Sequence, residues 1–297
     1  MRMSEIRVHE LIRAFDDFDE SYKRAELDEA ITLREEITPH LIGILEELAA
    51  DPVRYAVEDH YANVYAAALL AYFQEPAAHL PIIRAFCIPD DEREELWGDM
   101  VSETLPALLL QTCNGSLDTI RELVRNREIH DYVRGAAVVA LTYAVARDVA
   151  ERHEVVEFLS GFFTGTEAGD DSDFWSEVAS SITDLHPEGA MEVLRKAYAE
   201  ELISPWYVGL EEIEEAMGRD QEAVLAELRA FTDRNIPADL HEYLSWFACF
   251  REKSLDRPRV SPAKIARKAR ETQKKTNRAK AKTAKKARKK NRVGKKR

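Results

Sequence analysis

Tyr61-Ala62-Asn63-Val64-Tyr65-Ala66-Ala67-Ala68-Leu69-Leu70 and, beyond Gln74-Glu75-Pro76, Leu80-Pro81-Ile82-Ile83-Arg84-Ala85-Phe86 decide the fold. Apolar residues at helical spacing make each stretch a helix, and together they read as one helix–turn–helix unit. The unit recurs. Trp97 through Leu110 followed by residues 117–123 form a second copy, Tyr132 through Val145 with 155–159 a third, and Trp175 through Leu185 with 191–194 a fourth. The aromatic openers at 61, 97, 132 and 175 stand 36, 35 and 43 residues apart. Two helices per unit at such a period are the signature of a helical solenoid. The predicted fold is therefore all-α, a HEAT-like α-α superhelical repeat. Such a fold presents a concave surface suited to another macromolecule. Pro106 falls inside the first helix of the second unit and is expected to kink it.

Working outward, helix starts are predicted at Ser4, at Thr38-Pro39 and at Asp51-Pro52, each a cap residue before an apolar set. Leu11, Phe15 and Phe18 share one face of the first helix, and Leu41, Ile44, Leu45 and Leu48 one face of the next. No segment alternates with the period of a strand. Residues 1–34 read as an N-terminal helical cap, 35–253 as the repeat domain, and 254–297 as a Lys/Arg-rich tail.

The composition supports a cored helical body. Of 297 residues, 45% are hydrophobic, enough to bury roughly 70–75% of the unfolded surface at this length. Only 11 glycines argue against a turn-rich β fold, and three scattered cysteines against a disulfide framework. No run approaches a membrane span, and the charged N-terminus has no apolar leader core. A cytoplasmic location is the expectation.

The net charge of −13 conceals a division. Residues 257–297 carry 20 Lys+Arg and one acid, Glu271, for +19. The rest carries 22 Lys+Arg and 54 Asp+Glu, for −32. A basic end on an acidic body marks an interaction tail. After Ile265 its only large apolar residue is Val293, so it is expected to be disordered when free. The candidate phosphate-contacting residues are Lys264, Arg267, Lys268, Arg270, Lys274, Lys275, Arg278, Lys280, Lys282, Lys285, Lys286, Arg288, Lys289, Lys290 and Arg292. If about 8 of them meet phosphates, affinity falls with salt at a log–log slope near −7. No aromatic is interleaved, so sequence readout is not expected. The partners this tail fits are RNA, DNA or the ribosome, the acidic body of the chain itself, or an anionic membrane surface.

Motifs for chemistry are absent. His153-Glu154-Val155-Val156-Glu157 places Glu where a zincin needs its second His, and His241-Glu242 fails because position 245 is Ser. There is no P-loop, no GxGxxG, no GxSxG and no EF-hand spacing. Cys87 and Cys113 sit in apolar helical contexts as inert thiols. Trp97, Trp175, Trp206 and Trp246 stand in helical periodicity and are assigned to the core, and 243–250 is expected to close its end. The acidic runs 16–20 and 211–215 read as solvated, while 170–173 ends a loop and caps a helix at Asp173. No catalytic residue, metal or cofactor is assigned.

With these residues laid out, the body resembles a bacterial family known as domain of unknown function 1186. The resemblance rests on 65–73, on Cys113-Asn114-Gly115-Ser116-Leu117, on Tyr132-Val133-Arg134-Gly135-Ala136-Ala137, on Pro205-Trp206-Tyr207-Val208-Gly209-Leu210-Glu211 and on 244–250. It covers most of 35–250 and none of the tail. It implies an all-helical repeat fold and no established activity. Some relatives end in a Cys-rich zinc motif similar to that of the Sec translocase motor; the tail here has no Cys or His, so no zinc site carries over. The expected function is a non-enzymatic binding or scaffold protein with a partner on its solenoid surface and a tail for nucleic acid or ribosomes. The alternative is an enzyme using carboxylates in the solenoid groove.

Overall fold

The computed structural model describes residues 3–17, 21–57, 60–169, 172–236 and 238–244. Among them every regular element is helical, with seventeen α-helices and one short 3₁₀ turn at Pro76–Ala78. In chain order these are α1 (Met3–Asp16), α2 (Arg24–Thr32), α3 (Arg34–Ala50), α4 (Pro52–Val57), α5 (Ala62–Tyr72) and α6 (His79–Phe86). Then come α7 (Asp90–Leu96), α8 (Met100–Glu103), α9 (Leu105–Thr112), α10 (Asp118–Arg125), α11 (Asp131–Ala146) and α12 (Arg152–Ser160). The last are α13 (Phe174–Asp184), α14 (Met191–Ala199), α15 (Leu210–Gly218), α16 (Gln221–Asn235) and α17 (Leu240–Leu244). The paired helices read from the sequence correspond to α5 with α6, α9 with α10, α11 with α12, and α13 with α14.

One row of helices carries the core. α5 packs between α3 and α9, α11 between α9 and α13, and α13 reaches α15. The interior of this row is nearly all apolar: Leu69, Leu70, Leu109, Ala137, Leu141, Val178 and Ile182 are completely buried. The same core runs from Val8, Leu11 and Phe15 of α1 to Leu244 of α17.

Two regularities recur along the row. Side chains reach 33 residues ahead: Asn63 Nδ2 to the Leu96 carbonyl (3.1 Å), His79 Nδ1 to Thr112 Oγ1 (2.9 Å), Arg134 Nη1 to the Glu167 carbonyl (2.8 Å) and Arg152 Nε to the Leu185 carbonyl (2.6 Å). Helix ends also repeat. Gln74, Asn114, Asp148 and His186 follow α5, α9, α11 and α13 at φ of 52°, 52°, 56° and 65°, and Glu201 follows α14 at 59°. The left-handed residue lets the chain fold back on the last turn, as in Glu75 N–H donating to the Leu70 carbonyl (3.0 Å) and Val149 N–H to that of Ala144 (2.8 Å). Glycine is the usual choice at this position, and this chain has filled all five with other residues.

Several local expectations are corrected. Thr38-Pro39 does not start a helix: α3 begins at Arg34 and Pro39 lies inside it. The Thr38 hydroxyl donates to the Arg34 carbonyl (2.7 Å). Ser4 is likewise inside α1 rather than before it. Pro106 breaks its helix instead of kinking it, because it has no amide to continue the ladder. The chain separates at Thr104 into α8 and α9, with the proline in the first turn of α9. The aromatic openers also differ in position. Trp97 ends α7, whereas Tyr132 and Trp175 lie in the first turns of α11 and α13. At Asp51-Pro52 the reading holds: Arg54 N–H donates to Asp51 Oδ1 (3.0 Å).

The C-terminal helices add contacts that repeat periodicity does not carry. α16 packs on α11 and α13, and α17 on α5. Tyr143 faces Phe231 at 6.3 Å between ring centroids, and Arg147 pairs with Asp233 at 3.0 Å. His241 bridges Tyr22 Oη (2.7 Å) and Asp28 Oδ1 (2.8 Å), more than two hundred residues earlier in the chain. α17 therefore packs on α5 and reaches the start of the chain through His241, while residues 245–250 of the segment expected to close the core lie outside the described residues.

Two stability predictions follow from this geometry. Gln74→Gly and Glu201→Gly, at exposed left-handed positions, should each raise stability by up to about 1 kcal/mol in urea melts, since a side chain there strains the backbone. Arg134→Met should lower it by about 2–4 kcal/mol by stranding buried carbonyls, while Arg54→Ala at an exposed pair should change it by less than about 0.5 kcal/mol.

Candidate functional site

Helix starts converge on an acidic cleft. A space of about 580 Å³ is bounded by the start of α7, the α7–α8 turn, the first turns of α11 and α13, and Tyr207 from the loop after α14. His130 begins α11, its Nδ1 accepting from Tyr132 N–H (3.2 Å). Asp131 follows, with Oδ1 on Arg134 Nη1 (2.9 Å) and Oδ2 accepting from the Ser172 hydroxyl (2.5 Å). Ser172 Oγ in turn accepts from Phe174 N–H (3.0 Å), so one carboxylate ties the start of α11 to the start of α13. Asp173 stands at the cap position as expected, but Ser172 supplies the oxygen.

Glu177 stands on the next turn of α13. Gly135 leaves it room: a Cβ there would lie 3.2 Å from Glu177 Cγ. The Tyr207 hydroxyl donates to Glu177 Oε2. Burial pushes the Glu177 carboxyl above its ordinary pKa; the bonds from Tyr207 and Ser181 pull it back, and nearby Asp173 pushes it up further. His130 is held below its ordinary value by burial and by Arg93, which favours the neutral ring.

Six carboxylates line the cleft: Asp90, Glu94, Asp99, Asp131, Asp173 and Glu177. Arg93 is the single Lys or Arg on its wall, and it is buried and engaged, with Nη1 on the Ile88 carbonyl (2.9 Å) and Nη2 on Asp90 (2.7 Å). Tyr132 is 62% exposed and Tyr207 46%. Beside Tyr207, Trp206 is 99% exposed. That corrects the assignment of Trp206 to the core. The periodicity around it is not helical structure: residues 205–207 form a turn, with Tyr207 N–H donating to the Ser204 carbonyl (2.9 Å). Carboxylates and exposed aromatic rings are the groups to which a cation is attracted. No cluster of three His, Cys, Asp or Glu positioned for a metal occurs among the described residues.

The remaining sequence candidates have structural explanations. Trp97 is buried, stacks on Phe86 at 4.0 Å and donates to the Ala85 carbonyl (2.8 Å); Trp175 is buried and donates to Glu167 (3.1 Å). Cys113 is buried and Cys87 half-buried, and desolvation raises both thiols, Cys87 to about 11. His153 and Glu157 face solvent on α12, and Glu211, Glu212, Glu214 and Glu215 on α15. Asp16 holds the start of α5, accepting from Tyr61 N–H (3.0 Å) and facing His60 at 2.7 Å. The tail cations from Lys264 to Arg292, together with Trp246, Cys249, Asp170 and Asp171, lie outside the described residues. Sequence reasoning missed the acidic cleft, whose six acids span residues 90–177. Pro205-Trp206, a proline before an aromatic in a Ser-Pro turn, was the local signal for the exposed ring.

Residues 6–251 match the model of a family described as a protein of unknown function, DUF1186. The chain belongs to this family. DUF1186 thus spans the helical body, including every residue of the acidic cleft, and ends before the candidate tail cations. Two uncharacterised proteins, from Chlamydia trachomatis (serovar D) and Chlamydia muridarum, are each 28% identical over 230 residues. The alignments cover 76% of this chain and 90% and 91% of those proteins. No solved structure matches. No helix among the described residues is long and apolar enough to cross a membrane.

Glu177 gives the cleft a measurable pH signature. Its raised folded-state pKa means the native protein keeps the proton longer than the unfolded chain. Stability is then greatest below the unfolded carboxyl range, near 4.3, and declines as pH climbs toward the folded value. Glu177→Gln removes that decline, so the variant should gain on the native protein as pH rises from about 4 toward neutral in urea-midpoint measurements. A difference that stays flat across this range would contradict the assignment.

Proposed function

We propose that this chain is a non-enzymatic helical-repeat binding protein of HEAT-like build. Its acidic, ring-walled cleft takes a Lys- or Arg-bearing segment of a protein partner, and its basic tail holds nucleic acid or ribosomes without sequence preference. The repeat reading is supported by the 33-residue reach of the cross-helix bonds and by the left-handed residue after each of α5, α9, α11 and α13. Residues 35–253 make up the repeat array on this reading, behind an N-terminal cap at 1–34, and 254–297 the tail. The observation that carries the cleft is its charge: six carboxylates against one buried, engaged arginine. A cationic side chain entering it would meet Tyr132 and Tyr207 as well as Asp90 and Asp99, a combination that favours guanidinium or ammonium over any anion. Free, raised-pKa thiols at Cys87 and Cys113 fit a reducing cytoplasm.

A second reading is an enzyme working through the cleft carboxylates. It is favoured by Glu177, a proton-retaining carboxyl beside the Tyr207 hydroxyl. Binding and catalysis part at Glu177→Gln, which should leave capture of a basic peptide intact while abolishing any turnover.

Fluorescence anisotropy with a labelled oligoarginine peptide tests the cleft. The chain ending at Asp256 is used so that the tail's cations do not compete. Asp90→Asn with Asp99→Asn and Tyr132→Ala should weaken binding at least tenfold, whereas Glu35→Gln with Glu36→Gln on α3 should not. Equal loss from both sets would reduce the effect to overall charge and remove the cleft. In gel shifts the full chain should retard RNA and DNA with steep salt dependence. The chain ending at Asp256 should not.

A further inference from the structure

Against a body of charge −32, a small cleft among the described residues is walled mainly by arginines. A cleft of about 370 Å³ is walled by Arg125 at the end of α10, Arg127 in the following turn, Arg134 of α11, and Phe158 and Phe162 at the end of α12, with Glu167 as its one acid. The Arg125 guanidinium lies over the Phe158 ring at 4.7 Å, and Arg127 Nη2 donates to Thr166 Oγ1 (3.2 Å). Both side chains are therefore pre-oriented. Among the described residues neither forms an ion pair, unlike Arg7, Arg54, Arg93, Arg147, Arg195, Arg219 and Arg229.

Arg134 supplies the second, independent observation. It is 1% exposed and stacks on Phe174, 3.8 Å from guanidinium carbon to ring centroid. Its Nε donates to the Val124 carbonyl (3.0 Å) and its Nη1 to Asp131 and to the Glu167 carbonyl. Its Nη2 is buried without any partner. A charged donor in that state is costly and unusual. Glu167 does not answer it. Its side-chain oxygens accept from Thr164 N–H (3.2 Å), the Thr164 hydroxyl, Thr166 N–H (3.2 Å) and Trp175 Nε1 (3.1 Å). Its carboxyl sits below the usual range: burial would raise it, and those bonds outweigh burial.

We propose that this cleft binds a small phosphate monoester, with the phosphate held by Arg125, Arg127 and Arg134 and the substituent against Phe158 and Phe162. Guanidinium forks match phosphate oxygens two at a time. With Arg134 offset by its pair with Asp131, the exposed guanidiniums of Arg125 and Arg127 face one carboxylate, Glu167, whose oxygens are already bonded, so the cleft keeps a net positive charge suited to an anion. The volume admits a phosphate with a few carbons attached and no polymer segment. This site is separate from the acidic cleft and stands whether or not that cleft takes a basic segment.

Isothermal titration calorimetry on the full chain tests it, with glycerol 3-phosphate and inorganic phosphate as probes and acetate at matched ionic strength as control. Arg125 and Arg127 are exposed, so Arg125→Gln with Arg127→Gln leaves the core untouched, which equal urea midpoints verify. The native chain should bind glycerol 3-phosphate at one site, and the double variant at least tenfold more weakly. Acetate should give no saturable heat. The basic tail is present in both proteins, so phosphate held by the tail alone would give identical isotherms for the two, and that result would overturn the proposal. So would saturable acetate binding of equal strength. Tighter binding of the ester than of inorganic phosphate would assign the substituent to the phenylalanine wall, and equal binding would assign the site to the phosphate group alone.

Discussion

Short helices leave many carbonyls without amide partners, and this body is held together by side chains that answer them from another helix. Arg34 reaches the Phe73 carbonyl past the end of α5 (2.5 Å), and Trp97 the Ala85 carbonyl in the last turn of α6 (2.8 Å). Asn63 meets Leu96, the last residue of α7 (3.1 Å), and Arg134 meets Val124 near the end of α10 (3.0 Å). Arg152 meets both Leu185 and His186 after α13 (2.6 and 2.5 Å). Cations suit this role twice over, since the C-terminal end of a helix is also its negative end. Hydrophobic packing brings the helices together without fixing their axial offset; these donors fix it, because each finds its carbonyl in only one alignment.

The same constraint explains the glycine count. The seventeen helices among the described residues have many ends to reverse, yet the whole sequence has 11 glycines. Gln74, Asn114, Asp148, His186 and Glu201 take left-handed conformations in their place. The strain is tolerated because the bonds across each reversal, together with the side-chain donors from neighbouring helices, hold these ends in place. His79 shows how far buried polar groups are matched. Thr112 gives its proton to the Leu108 carbonyl (2.7 Å), so His79 Nδ1 must donate to Thr112 and Nε2 must accept from Thr119 (2.7 Å). Burial holds that ring below its ordinary pKa, consistent with the neutral tautomer these bonds require.

What was legible in the sequence was what is local. Helix pairs at 62–86 and 131–160 follow from apolar periodicity, and Asp51-Pro52 from cap chemistry. Thr38-Pro39 carries the same local signal and was misleading, because α3 is buried along Ile37, Leu41, Leu45 and Leu48 and tertiary packing extends it past the proline. Trp206 misled in the opposite sense: apparent helical periodicity placed it inside, and a Ser-Pro turn put it in solvent. The packing of α16 and α17 across the row had no sequence signature at all. It depends on His241 meeting Tyr22 and Asp28, residues with no periodic relation to it.

Charge was legible as a sum and not as a placement. A body of −32 suggests a uniformly acidic surface, but the formal charges around α11 are sorted. Asp131 faces the acidic cleft with five other carboxylates, and Arg134, one turn later, faces the arginine cleft. The two are bonded to each other at 2.9 Å. The i to i+3 spacing brings them together on one helix, while the residues they meet come from 33 and 41 positions further on, the Glu167 carbonyl and Ser172. One ion pair thus joins the two clefts, and a further cleft is lined by both of its partners together with Asp90, His130, Arg127 and Glu167. Both partners are also bonded to the loop before α13, which fixes each of them against its own cleft. The helix-end bonds that set the register of the row therefore also set the charge pattern on its surface.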